Sequence, residues 1–203
     1  MDPQADEGLE TVAEQINVCT RCPLHRERTK TVPGEGGFRK KIMFIGEAPG
    51  KNEDVQGRPF VGRAGEILNE LLDSIGLARE DVFITNIVKC RPPNNRDPTP
   101  EEVKACSPFL ERQIQILRPK IIVTLGRHAW RWICEHFGIP HEVISRAHGK
   151  VFRTNTLFYG TITVMPTYHP AAAIYNKNLL PILREDFRKL KEFLEDGQKE
   201  VQG

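Results

Sequence analysis

The sequence predicts an α/β protein built on a parallel β-sheet that helices cover on both faces. Apolar, β-branched runs occupy residues 41–45, 82–88, 120–125 and 161–165, and segments of helical periodicity lie between them. Two or three of these runs are continuously apolar, which is typical of strands buried on both faces of a parallel sheet. Ligands of such sheets bind at the carboxyl ends of the strands, so the loops after the four runs are candidate sites.

The helices follow from apolar spacing and from one clear start signal. Apolar stripes predict helices over residues 66–75, 103–117 and 180–194, with a fourth over 127–137 and a short opening one over 9–16. Thr99 precedes Pro100 and is followed three residues later by Glu102, which is the pattern of a capping box. We expect one domain over residues 1–203, with residues 1–8 and 197–203 as flexible tails.

Composition places the chain among ordinary globular proteins. Its 203 residues are 39% hydrophobic and 28% charged, which argues against bulk disorder. No run of about 18 apolar residues is present, so a membrane-spanning helix is not expected. The first ten residues carry four acids and no base, unlike a secretory signal, so we expect a cytoplasmic protein.

Positive charge is concentrated in two stretches, although the net charge is only +2. Residues 20–41 contain seven Lys and Arg against two acids, and residues 112–153 contain eight against two. Clustered positive charge favours a phosphate-bearing partner. A solvated basic face is the alternative interpretation.

The loop after the first run is rigid and acidic. Residues 46–54 read GEAPGKNED, with two glycines and a proline among the first five positions. Its three acids, including Glu47 and Glu53, disfavour a dinucleotide and favour an uncharged ligand or the orientation of a water molecule. An acidic turn that merely enters a helix is the alternative.

Two further residues have the character of base-recognition groups. Phe60 lies in the segment GRPFVGRAG (57–65) rather than in an apolar stripe, where it could stack on a planar ring for roughly 1–3 kcal/mol. Asn86 interrupts an apolar run, and its amide could read the polar edge of a pyrimidine. The alternatives are a Phe tucked under its own turn and an Asn bonded to neighbouring backbone.

A histidine follows the last apolar run. His169 stands before Pro170 in the segment TYHPAAA, so its backbone is restricted, and small residues follow it. Such a side chain can donate a hydrogen bond to charge that develops on a leaving group. A structural histidine bonded to its own loop is the alternative.

Four of the five cysteines predict a metal site. Cys19 and Cys22 form a chelating pair, while Cys90 and Cys106 are separated by fifteen residues. Four thiolates suit zinc or an iron–sulfur cluster, and the second spacing leans toward the cluster. Disulfides are not expected in the cytosol, and Cys134 is interpreted as a small buried residue.

Together the loops resemble the family 4 uracil-DNA glycosylases, the iron–sulfur group of bacteria and archaea. The resemblance covers roughly residues 9–195. It is carried by GEAPGKNED (46–54), GRPFVGRAG (57–65), TNIVKCRPPNNR (85–96), TYHPAAAI (167–174) and the four cysteines Cys19, Cys22, Cys90 and Cys106. Ala48 stands where family 1 enzymes have a water-orienting Asp, and Glu47 argues against family 5.

The resemblance implies a three-layer α/β/α sandwich around a four-stranded parallel sheet, and a structural [4Fe-4S] cluster bound by the four cysteines. It implies a monofunctional DNA repair glycosylase that hydrolyses the N-glycosidic bond of uracil and leaves an abasic site. Its partner would be double- or single-stranded uracil-containing DNA, and the chain would act as a monomer in a prokaryotic cytoplasm, at the nucleoid during repair. It implies no membrane partner.

Residue roles follow from the matched motifs. We expect uracil to contact Gly46, Glu47, Ala48, Phe60, Asn86 and His169. The catalytic candidates are Glu47, Glu53, Asn95 and His169, and the residue that positions the water is left open among Glu47, Glu53 and Asn95. Ala171, Ala172, Ile174 and Tyr175 are expected to contact DNA.

Two other classes of function remain open on the sequence. One is a non-catalytic iron–sulfur DNA-binding module of the same fold, which would bind uracil-containing DNA without releasing the base. The other is a redox or metal-sensing protein whose activity would not depend on Asn86 or His169.

Overall fold

A five-stranded sheet forms the centre of the protein, for which the computed structural model describes residues 3–156 and 160–199. The strands lie in the order β2-β1-β3-β5-β4. They are β1 (Ile42–Gly46), β2 (Phe83–Asn86), β3 (Ile121–Leu125), β4 (Phe152–Thr156) and β5 (Gly160–Thr167). The strands β2, β1, β3 and β5 are parallel, as predicted, so their carboxyl ends share one edge.

The sheet has five strands rather than the predicted four, because an antiparallel strand is added to the four parallel ones. The fifth strand, β4, pairs antiparallel with β5 at the border of the sheet. Its sequence is FRTNT, and its residues alternate between half-buried and exposed. An edge strand of this kind has no continuous apolar run, which is why the search for such runs missed it.

Helices cover both faces of the sheet, which confirms the three-layer arrangement. The helices are α1 (Pro3–Asn17), α2 (Lys51–Gln56), α3 (Arg63–Ser74), α4 (Pro100–Leu117), α5 (Arg127–Phe137), α6 (Ile144–Ala147), α7 (Ala172–Tyr175) and α8 (Leu179–Lys199). One face of the sheet packs against α1, α4 and α5, and the other packs against α3 and α8. Alternate residues of β1 point into the two cores, since Met43 belongs to the first and Phe44 to the second.

The capping box at the start of α4 forms as predicted. The Thr99 hydroxyl accepts a hydrogen bond from the Glu102 amide at 3.3 Å, and the Glu102 carboxylate accepts one from the Thr99 amide at 2.8 Å. Arg96 also donates two hydrogen bonds to that carboxylate. This network fixes the end of the 91–99 loop, which borders the candidate site.

The described parts of both predicted tails are helical. Residues 3–8, assigned from the sequence to a tail, lie within α1, and 197–199 lie within the backbone of α8. Residues 1–2 and 200–203 lie outside the described part, and the single-domain assignment stays a prediction. None of the described helices combines the length and apolar character that crossing a membrane requires.

Candidate active site

A cleft of about 440 Å³ opens at the carboxyl ends of the parallel strands. The loops after β1, β2 and β5 all contribute to it. The predicted site residues that line it are Glu47, Ala48, Glu53, Phe60, Asn86, Asn95, His169, Ala171 and Tyr175. The predicted residues Gly46, Ala172 and Ile174 are outside this lining. The parallel sheet therefore brings together motifs that lie more than a hundred residues apart in sequence.

Gly46 makes room for the two proposed recognition side chains. A Cβ atom at this position would lie 2.4 Å from the Asn86 Oδ1 atom and 2.8 Å from the Phe60 ring. Both distances are too short for any side chain. Gly46 is thus required beneath the site, although it does not line the cleft.

Asn86 is the last residue of β2 and is only 2% exposed. Its Oδ1 atom is buried and lacks a hydrogen-bond partner among the described residues. Leaving a buried acceptor unpaired costs roughly 1–3 kcal/mol. An uncompensated amide oxygen at the wall of a cleft indicates a position that a ligand donor would fill.

Lys89 holds the backbone of Asn86 from behind, a contact that sequence reasoning missed. Its buried ammonium donates to the Asn86 carbonyl at 2.7 Å, the Thr85 hydroxyl at 2.6 Å and the Gln113 side chain at 2.7 Å. Burial lowers the pKa of Lys89 to about 7. The lysine ties the end of β2 to α4, and no sequence pattern indicated that this charge would be buried.

Phe60 adopts a left-handed backbone with φ of 49°, which is uncommon for a bulky residue. Its ring stacks on the His169 ring with centroids 5.5 Å apart. The residue is 5% exposed, yet it lines the cleft. The structure therefore places this aromatic ring at the cleft.

The Glu53 carboxylate is occupied by backbone amides. It accepts hydrogen bonds from Val61 and Gly62, both at 2.9 Å, and from Gly50 at 3.1 Å. Glu53 thereby anchors the segment that follows Phe60. These contacts favour a structural role for Glu53 within the site and leave Glu47 as the better candidate for orienting water.

His169 is held as a neutral hydrogen-bond donor. The Ala171 amide donates to His169 Nδ1 at 3.1 Å, so the proton of the neutral ring is on Nε2. Burial lowers the pKa of His169 to about 4, although the nearby Glu53 charge opposes this. At neutral pH the ring can therefore donate from Nε2 without carrying a charge.

Glu47 lies beside Asp97 and His128, neither of which was assigned to the site from the sequence. His128 Nε2 is 3.7 Å from Glu47 Oε1 and 3.1 Å from Asp97 Oδ2. Burial, and then the charge of Asp97, raise the pKa of Glu47 to about 7, while Arg127 opposes the shift. Glu47 therefore changes charge near neutral pH, which suits a general acid or base.

Asn95 and Tyr175 also line the cleft, whereas Ile174 does not. Asn95 has a left-handed backbone with φ of 55°, and its Oδ1 atom accepts a hydrogen bond from Arg91 at 2.7 Å. Tyr175, at the end of α7, is 90% exposed, whereas Ile174 is half-buried. The exposed aromatic ring is thus the more prominent apolar group of the predicted DNA-contacting turn.

Four cysteines line a second, small cavity between α1, α4 and the segment after β2. They are Cys19, Cys22, Cys90 and Cys106. Arg28 donates a hydrogen bond to Cys90 Sγ and the Lys89 amide donates one to Cys106 Sγ, both at 3.2 Å. The structure thus brings together the four residues predicted as metal ligands.

The chemistry of this cysteine set fits a thiolate-bound metal group. Burial raises the pKa of Cys22 and of Cys90, and it raises the pKa of Cys106 to about 12. A metal centre would supply the positive charge that buried thiolates need, and the two N–H donors would stabilise their sulfur atoms. Cys134 lies apart in α5 and is 2% exposed, as expected for a small core residue.

Comparison with known proteins agrees with the geometry. The family model described as "Uracil DNA glycosylase superfamily" matches residues 33–196. The Type-4 uracil-DNA glycosylase of Saccharolobus solfataricus is 52% identical over 93% of this chain and 87% of that protein. The enzyme of the same name from Sulfurisphaera tokodaii is 53% identical over 92% and 84%, and that from Archaeoglobus fulgidus is 48% identical over 92% and 93%. This chain belongs to the uracil DNA glycosylase superfamily and, within it, to the type-4 uracil-DNA glycosylases.

Proposed function

We propose that the protein removes uracil from DNA by hydrolysing the bond between the base and deoxyribose, which leaves an abasic site. The observation that carries this proposal is the buried, unpartnered Oδ1 atom of Asn86 at the wall of the cleft. Next to it, Phe60 offers an aromatic ring and His169 a neutral donor. This combination suits a flat, uncharged base with a polar edge.

Base recognition would begin with extrusion of the nucleotide from the duplex, at a cost of a few kcal/mol. Uracil would stack on Phe60 while the backbone of Glu47 and Ala48 holds its carbonyl groups. The Asn86 amide would accept from uracil N3–H and donate to O4. Cytosine presents the reverse pattern at these two atoms, so it would be rejected.

The chemical step would break the bond between uracil N1 and the sugar C1′, and the bonding electrons would leave with uracil. His169 Nε2–H would stabilise the negative charge on the departing base. Water held by Glu47 would add to C1′, and the Glu47 carboxylate would also stabilise the cationic sugar. One proton of that water would pass to Glu47 and then, through solvent, to the uracil anion. Asn95 would lie nearby.

A monofunctional hydrolase fits the placement of Lys89. Its buried Nζ atom already donates to three acceptors behind Asn86, so it is poorly placed to attack the sugar. We therefore propose no lyase step.

The turn at residues 170–176 would contact the DNA. Ala171 and Ala172 would allow close approach of the backbone, and the exposed Tyr175 or the half-buried Ile174 would fill the space that the base leaves. Both double- and single-stranded DNA would be substrates. We propose a monomer that acts in a prokaryotic cytoplasm, at the nucleoid during repair.

We further propose that Cys19, Cys22, Cys90 and Cys106 bind a [4Fe-4S] cluster with a structural role. When bound, the cluster would cross-link the end of α1, the segment after β2 and the helix α4. Because Cys90 follows Asn86 by four residues, this cross-link would also stabilise the base-recognition strand.

The metal proposal predicts a brown protein after aerobic purification, with broad absorbance in the blue part of the visible spectrum. Cys90→Ala should lose colour and lower solubility or thermal stability, because one ligand of the cluster is absent. The matched control is Cys134→Ala, which should keep the colour since Cys134 lies in the α5 core. A colourless protein with one zinc ion per chain would contradict the prediction.

The raised pKa of Glu47 predicts the pH dependence of excision. If its carboxylate holds the water, the single-turnover rate should fall as the pH drops below about 7, because Glu47 becomes protonated. In Asp97→Asn this fall in rate should occur at lower pH, since the negative charge that helps to raise the pKa of Glu47 is removed. Glu47→Gln should excise uracil slowly, and its rate should not fall as the pH drops below about 7. If the rate of that variant still fell in the same way, Glu47 would be excluded as the source of the pH dependence.

The function itself is tested with a labelled oligonucleotide that contains one uracil. Alkali cleaves abasic sites, so strand cleavage after incubation would report base release, and the same oligonucleotide with cytosine is the control. Binding without release would support the non-catalytic DNA-binding alternative. The redox alternative would be supported if the activity of the protein changed with oxidation of the cluster and did not change when Asn86 or His169 was substituted.

A further inference from the structure

Arg79 lies directly behind the loop that carries Phe60. The arginine belongs to a short 3₁₀ turn before β2 and follows Phe60 by nineteen residues. Its guanidinium donates to the Pro59 carbonyl at 2.7 Å and to the Phe60 carbonyl at 3.0 Å. The same group also donates to Asn69 on α3 at 3.0 Å and to Glu35 at 2.7 Å. One side chain thus joins the Phe60 loop to two other parts of the protein.

The Phe60 loop needs such support because its backbone is strained. Phe60 has a positive φ, which is unfavourable for a residue with a bulky side chain. Its carbonyl also lies so close to α3 that a Cβ atom at Gly65 would be 1.9 Å from the oxygen. This geometry persists only where neighbouring groups hold it.

Two side chains hold the loop from opposite sides. Glu53 accepts from the amides of Val61 and Gly62, after Phe60, while Arg79 donates to the carbonyls of Pro59 and Phe60. The four hydrogen bonds that this pair makes with the loop are all to its backbone, so these contacts fix the path of the chain. The phenyl ring itself stacks on His169 and lines the cleft.

We propose that Arg79 is a positioning residue for uracil capture, because it fixes the backbone that aims the Phe60 ring into the cleft. The inference rests on the proposed function, since it assumes that Phe60 stacks on uracil. Arg79 does not line the cleft, so its effect would pass through Phe60.

The planar fork of arginine suits this task better than lysine would. Four acceptors lie around the guanidinium in different directions, and a lysine ammonium is a single compact donor group. Glu35 supplies the opposite charge, which it shares with Arg58. Arg58 contacts Glu35 through two hydrogen bonds and is 57% exposed. Arg58→Met removes a positive charge beside Glu35, as Arg79→Met does, and it is therefore the matched control.

The first experiment compares Arg79→Met, Arg79→Lys and Arg58→Met. Complete loss of stacking would slow excision by about 5- to 150-fold, so partial misplacement of Phe60 in Arg79→Met should slow single-turnover excision about tenfold. The excision rate of Arg79→Lys should lie between the rates of Arg79→Met and the parent protein. Affinity for undamaged DNA should be unchanged, and Arg58→Met should excise at the parent rate. Parent-rate excision by Arg79→Met, or by Arg79→Lys if the Met variant fails to fold, would overturn the inference.

A double-mutant cycle with Phe60→Ala separates positioning from general stability. If Arg79 acts through the Phe60 ring, Arg79→Met should cost little further rate once that ring is removed. A full additional tenfold loss in the Phe60→Ala background would show instead that Arg79 is merely structural.

Hydrogen exchange of the peptide over residues 58–66 provides a readout that does not require activity. Exchange should be faster in Arg79→Met than in the parent and in Arg58→Met, because the loop loses two anchors. Unchanged exchange would overturn the positioning role even if excision were slower. A parent protein that releases no uracil would instead overturn the proposed function, while the exchange result would still report on the loop.

Discussion

His169→Ala is expected to slow single-turnover uracil excision by about 10²–10³-fold while DNA affinity stays nearly unchanged, because one preorganised donor to the leaving group is lost. The Ala171 amide fixes the ring so that Nε2 carries its proton, and burial lowers the pKa of His169 to about 4. The donor is therefore neutral at neutral pH, and it is in place before the negative charge develops.

The measurement is the rate of base release with enzyme in excess, together with binding of undamaged DNA. His136→Ala is a suitable control, since His136 lies on α5 outside the cleft lining. The pH dependence near neutrality should survive in His169→Ala, because it is assigned to Glu47. Excision at the parent rate would show that the catalytic assignment of His169 is wrong.

Asn86→Asp should lower uracil excision by about 10²-fold, with a much smaller effect on affinity for undamaged DNA. The carboxylate can still accept from uracil N3–H, but the donor to O4 is lost, and an unpaired buried group costs roughly 1–3 kcal/mol. Its negative charge also faces the base on which negative charge develops. We expect a slight gain of activity on cytosine, whose polar edge has the reverse pattern.

This second prediction needs two substrates and one control variant. Rates on uracil- and cytosine-containing strands give the change in specificity, and a binding assay gives affinity for undamaged DNA. Asn155→Asp makes the same chemical change on the exposed edge strand β4, and it should leave both quantities unchanged. Equal losses of excision and of binding in Asn86→Asp would mark Asn86 as structural.

Local patterns were sufficient for most of the fold. Apolar, β-branched runs predicted the four parallel strands because most residues on both faces of those strands are buried. Thr99 and Glu102 predicted the start of α4 because a capping box is satisfied within one helical turn. The edge strand β4 was missed because one of its sides meets solvent, and its sequence is correspondingly polar.

The sequence also indicated that the loops after the parallel strands would meet at one edge of the sheet. Glu47, Asn86 and His169 each follow or end a parallel strand, and the carboxyl ends of such strands lie at one edge. It did not separate Glu47 from Glu53, since both are acids of one loop. Only the tertiary structure shows that backbone amides occupy Glu53 and that burial beside Asp97 raises the pKa of Glu47.

Three ionisable residues that support the site are recognisable only in the folded protein. Lys89 holds the Asn86 carbonyl, Arg79 holds the Phe60 carbonyl, and His128 stands between Glu47 and Asp97. In a sequence, each of these residues is indistinguishable from a solvated surface charge, because charged side chains are usually exposed. Their roles arise when folding brings the cations to backbone carbonyls and the imidazole between two carboxylates, and no local pattern records those partners.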